Sequence, residues 1–71
     1  MFVDIQQATM LAIAYYNLGV EEDFCQEPDA ALESYKKAYQ LAEEYNGAGD
    51  PVTLRFHQTY QEAKSVDYFN I

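Results

Sequence analysis

The sequence predicts an all-α protein: an antiparallel hairpin of two helices followed by a third that caps it. Three observations carry this expectation. Apolar residues recur at i, i+3, i+4, i+7 spacing in three successive segments, the period of an amphipathic helix. Two of those segments open on an acid–proline signal, Glu27-Pro28-Asp29 and Asp50-Pro51, and proline suits the first helical turn. No alternating apolar and polar run is long enough to argue for a strand. The expected helices span about 4–24, about 28–46 and about 50–68, and residues 1–71 form one module.

The first helix starts at Asp4, whose side chain can cap it while Gln7, three residues on, completes a capping box. It carries two apolar sets. Ala8, Leu11, Tyr15, Leu18 and Gly19 fall on one face, the expected hairpin contact, and Ile13, Tyr16, Val20 and Phe24 fall on another. A helix in an isolated hairpin needs one buried stripe, so the second set asks for a further surface to cover it. In the second helix Ala31, Leu32, Tyr35, Ala38, Tyr39 and Ala42 form the apolar side, with Lys36 and Lys37 opposite and Gly47 and Gly49 closing the element. Asp50 caps the third helix, whose apolar stripe is Val52, Phe56, Tyr60 and Ala63.

The spaced pattern Tyr15-x-x-Leu18-Gly19 followed by Ala31-x-x-x-Tyr35-x-x-Ala38 resembles the tetratricopeptide repeat. Two closely packed antiparallel helices need small residues where their backbones cross and large ones to fill the gaps between. Gly19, Ala31 and Ala38 supply the former, and Tyr15, Leu18 and Tyr35 the latter. Glu22 stands where the family usually has an aromatic, which predicts a looser turn end of the hairpin. Glu43 stands where the family usually has proline, and the run from Glu43 to Pro51 resembles the extended second helix, glycine loop and proline-started helix of kinesin light chain-type repeats. The resemblance covers one helix pair and the first helix of a second repeat, a fragment of an α-solenoid.

The resemblance implies a scaffold that binds rather than reacts. In such folds the inner surface is lined by first helices, which points to Ile13, Tyr16, Val20 and Phe24, together with Arg55 and Glu62 on the third helix, as residues that receive a partner helix or peptide. Asn17 matches an asparagine with which some members hold a peptide backbone or carboxylate. The competing reading of the stripe is plain packing against a neighbouring helix. Self-association, with the third helix completing a second copy, is the other functional alternative.

Composition narrows the function classes further. A chain of 71 residues is at most one domain with a small core, and with Cys25 as its single cysteine it has no internal disulfide. Twelve acidic against four basic side chains give a net charge of −8, which opposes nucleic acid and anionic membranes and favours a basic protein partner. No apolar run reaches the length of a transmembrane helix. The start Met1-Phe2-Val3 is interrupted by Asp4 and lacks a basic flank, unlike a signal peptide, so the expected location is the cytoplasm. His57 has no serine or cysteine placed with it by a recognisable motif, and no catalytic residue, cofactor or metal site is expected. Cys25 reads as a small apolar filler near the turn. Glu21-Glu22-Asp23 reads as a solvated acidic face, and the seven tyrosines as packing residues with their hydroxyls at the edge.

Overall fold

The computed structural model describes residues 4–69; the apolar start Met1-Phe2-Val3 lies outside them. Three helices follow one another: α1 (Ile5–Phe24), α2 (Pro28–Asn46) and α3 (Pro51–Phe69). The all-α hairpin plus third helix is thus the observed architecture. Its ends lie where the local signals put them. The Gln7 N–H donates to Asp4 Oδ1 at 2.7 Å and the Asp4 N–H to Gln7 Oε1 at 3.4 Å, a complete capping box. Pro28 opens α2, and the Val52 N–H donates to Asp50 Oδ2 at 2.9 Å to open α3. Gly47 stops α2 with φ +92°, a conformation that a Cβ would strain.

The turn between α1 and α2 closes as a Schellman motif, with Glu27 N–H donating to Glu22 O at 2.8 Å and Gln26 N–H to Asp23 O at 3.1 Å. Gln26 holds the left-handed position at φ 61°, where glycine is the usual residue. The turn end is not loose, contrary to the expectation for Glu22. Ser34 Oγ donates to Glu22 Oε1 at 2.5 Å and Tyr35 Oη to Asp23 Oδ2 at 3.1 Å, so two hydrogen bonds replace the missing aromatic. At the far end of the hairpin Asn46 Nδ2 donates to Thr9 Oγ1 at 3.2 Å.

The core is thin. Among the described residues, the buried apolar side chains apart from Tyr35 and Phe56 are all alanine: Ala8, Ala12, Ala31, Ala38 and Ala42. A Cβ built on Gly19 would stand 2.6 Å from Tyr35 Cε1, so the two helices meet over the Tyr35 ring with no room for a methyl group. Rings of both earlier helices hold α3: Tyr16 of α1 stacks on Phe56 at 4.8 Å and 9°, and Tyr39 of α2 stacks on Tyr60 at 5.2 Å. His57 meets the Tyr39 ring edge-on at 4.8 Å. The Cα radius of gyration of 12.3 Å exceeds the ~11 Å of a compact chain of this length, in keeping with an open layer of helices.

Three further expectations about the fold need correction. Leu11 and Leu18 were expected at the hairpin contact but are 47% and 45% exposed, because α1 is rotated to bring Ala12 against α2. The small side chain wins that position since it lets the backbones approach. Cys25 is an exposed cap residue at the end of α1, not an apolar filler. Lys37 does not stand apart from the apolar surface; its Nζ lies 5.7 Å from the Tyr15 ring centroid.

Candidate functional site

Rotating α1 toward α2 through Ala8, Ala12 and Gly19 leaves its opposite side uncovered. Met10, Ile13, Asn17, Val20 and Phe24 succeed one another there at spacings of three and four, a continuous stripe along the helix. Met10 is 66% exposed, Ile13 43%, Val20 46% and Phe24 89%. Asn17 is exposed between them, the one polar residue in the line.

Tyr16, expected in the same stripe, belongs elsewhere. It is half-buried, stacks on Phe56 and lies 5.9 Å from the Tyr35 ring. The reading in which the stripe packs on a neighbouring helix therefore describes Tyr16, while Ile13, Asn17, Val20 and Phe24 face solvent. Arg55 and Glu62 are exposed on one edge of α3, seven residues apart, and among the described residues no hydrogen bond ties either to α1. The Tyr16–Phe56 stack sets α3 beside α1, so the two sets lie on neighbouring helices.

The C-terminal end of the stripe is strongly acidic. Glu21, Glu22 and Asp23 occupy the last turn of α1, which holds no basic residue, and Glu21, Glu22 and Glu27 line a shallow groove with Leu18 and Cys25. A helix C-terminus carries partial negative charge, so carboxylates there are placed against the dipole. Asp23 also shapes its neighbour: burial first, and then the Asp23 carboxylate beside it, push the Tyr35 hydroxyl up to about 12 from 10.0. That phenol stays protonated and serves as a structural donor.

Sequence reasoning missed Met10, although its place three residues before Ile13 was a usable signal. It also missed the buried Ser34 and Thr53, which no apolar pattern marks. Among the described residues no helix is long and apolar enough to cross a membrane. Comparison with protein-family models, curated proteins and solved structures finds no match to this chain.

Proposed function

We propose that the chain is a protein-binding and assembly module of tetratricopeptide type, which offers the outer stripe of α1, with α3 beside it, to a helix or peptide of a partner. The observation that carries the reading is the exposure of Met10, Ile13, Val20 and Phe24 on a helix whose opposite side packs against α2 through Ala8, Ala12 and Gly19. Contiguous apolar surface of this kind is the mark of an interaction site. The thin core points the same way, because a module that buries mostly alanine gains order by covering more apolar surface with a partner. Within this reading the protein is a subunit of a larger cytoplasmic assembly and needs no cofactor.

The experiment is an unbiased selection of binding peptides on the folded chain, with Val20→Glu as the counter-target. Binders that lose affinity for the variant, while its helical circular dichroism is unchanged, support the reading. A selection that yields no Val20-dependent binder removes it.

A second reading, self-association, is favoured by one observation. On the edge of α1 away from α3, the half-exposed Leu11 lines an open groove with Tyr15 and Leu41, and Leu18 lies on the same edge. This reading assigns that groove to the third helix of another copy. A mass by light scattering that rises with concentration, and stops rising in Leu18→Glu, would select it.

A further inference from the structure

We infer that the occupant of the α1 stripe is a basic-edged amphipathic α-helix of another protein, docked as a coiled-coil partner, with Asn17 fixing its register and its cationic end lying over Glu21 and Asp23. This deepens the proposed function and rests on it. The spacing is the first argument. Met10, Ile13, Asn17, Val20 and Phe24 repeat the three-then-four interval of a and d positions, with Met10, Asn17 and Phe24 at a and Ile13 and Val20 at d. An extended peptide has no use for such a period, since its side chains alternate every two residues. A helix laid alongside presents its own side chains at the same interval.

Asn17 is the second argument. A single asparagine at an a position lowers affinity but selects the register in which a polar group faces it, because any other register buries its amide unpaired.

Charge decides between a second copy and a different protein. A parallel pair of these chains would face Asn17 with Asn17, but it would also set Glu21 and Asp23 beside their own copies, each chain carrying a net charge of −8. An antiparallel pair, in which a positions pack on d positions, separates those acids and sets Asn17 against Ile13 or Val20, leaving the amide without a partner. Neither arrangement satisfies both features. A helix with lysine or arginine flanking its apolar seam satisfies both: it answers the carboxylates that stand against the dipole of α1, and it can carry a polar residue opposite Asn17.

The test uses the full chain and synthetic peptides of about 21 residues, three heptads, with leucine at a and d, one central asparagine at a, and lysine at e and g. Fluorescence anisotropy gives affinity, and amide shifts on the labelled chain locate the contact. The lysine peptide should bind with shifts along Met10 to Phe24, about tenfold or more tighter than its glutamate counterpart, and more weakly as salt is raised. A scrambled lysine peptide of the same composition should bind poorly. Asn17→Leu should reverse the preference, favouring an all-leucine peptide over the one with asparagine. Equal affinity for the lysine, glutamate and scrambled peptides overturns the inference, as does a dimer of the chain that Val20→Glu abolishes. If the unbiased selection returns Val20-dependent binders that are neutral or extended, this inference fails while the binding function stands. If it returns none, both fall.

Discussion

The contact between α1 and α2 and the contact that holds α3 solve the same problem with opposite materials. The first is made of Ala8, Ala12, Gly19, Ala31 and Ala38 closing over one buried ring, Tyr35. The second is a ladder of rings, Tyr16 on Phe56 and Tyr39 on Tyr60, with His57 at its edge. Backbones that meet through methyl groups have little side chain to lose and no room to gain any. Rings that meet across a wider gap carry most of their contact in a few large side chains, so truncation is what they cannot bear.

The largest effect should therefore follow truncation of the ring ladder. Phe56 is buried and supports the Tyr16 stack, and Phe56→Ala should cost about 3–5 kcal/mol in urea melts. Its hydrogen-exchange signature should be regional, with α3 amides losing protection before those of the hairpin. A loss below about 1 kcal/mol would mean that α3 is held by something other than this ladder.

Growth, not truncation, should break the other contact. Gly19→Ala adds a helix-favouring methyl worth about 1 kcal/mol but drives it into the Tyr35 ring, and overpacking of this kind costs about 1–3 kcal/mol. The net change should be destabilising. A stabilised variant would show that Tyr35 can move aside, and the comparison between the two contacts would lose its sharper half.

These two substitutions also locate where the sequence was legible. Helix ends were, because Asp4 with Gln7, Pro28, and Asp50 with Pro51 act on backbone groups a few residues away. The rotation of α1 was not. With Leu11, Ile13, Leu18 and Val20 spread around it, periodicity alone offers more than one buried face, and the deciding factor is how closely α2 can approach over Ala12 and Gly19. Tyr16 was assigned to the outer stripe because its ring partner, Phe56, lies forty positions along the chain on an element whose angle is set by tertiary packing. Ile13, Val20 and Phe24 were grouped by spacing and Asn17 was added by the family resemblance, and these four do share an exposed line, whereas the turn-end hydrogen bonds of Ser34 and Tyr35 depend on three-dimensional placement that no local motif announces.

A smaller effect separates the Tyr35 ring from its hydroxyl. Tyr35→Phe keeps the ring under Gly19 and removes the bond to Asp23, whose carboxylate is exposed and regains water, so the loss should be about 0.5–1.5 kcal/mol. The pH dependence has a definite sign. The folded state holds the phenolic proton more tightly than the unfolded chain, at about 12 against 10.0, so this contribution is complete below pH 10 and is lost as pH rises through about 12. Other tyrosines ionise in the same window, and the difference between wild type and Tyr35→Phe isolates the share of this residue. Parallel stability curves between pH 10 and 12 would mean that neither the burial of Tyr35 nor the Asp23 carboxylate beside it holds that proton.

The turn offers a gain rather than a loss. Gln26 occupies the left-handed position of the Schellman motif at φ 61°, where a Cβ is strained and glycine is not. Gln26→Gly should stabilise the hairpin by about 0.5–1 kcal/mol, the relief of strain exceeding the added freedom of the unfolded chain. The denaturation midpoint should rise with an unchanged slope. A fall would mean that the Gln26 side chain supports the turn in a way its backbone does not reveal.

The smallest expected change in stability lies outside both contacts, at Phe24. With 89% of its surface exposed at the end of α1, this ring has little packing to lose, and Phe24→Ser should alter stability by no more than about 0.5 kcal/mol. Its position in the outer stripe nevertheless gives it the size and chemistry of an interface anchor, so the same substitution should weaken the lysine-edged helix peptide far more than it disturbs the fold. The two readouts divide the residue's roles. Unchanged melting with reduced peptide affinity places Phe24 on the docking surface, at the end where Glu21 and Asp23 meet the partner's cations. Unchanged melting with unchanged affinity would shorten the docking seam to Met10–Val20. A large drop in melting would instead make Phe24 part of the fold, and the division between buried and open sides of α1 would have to be redrawn.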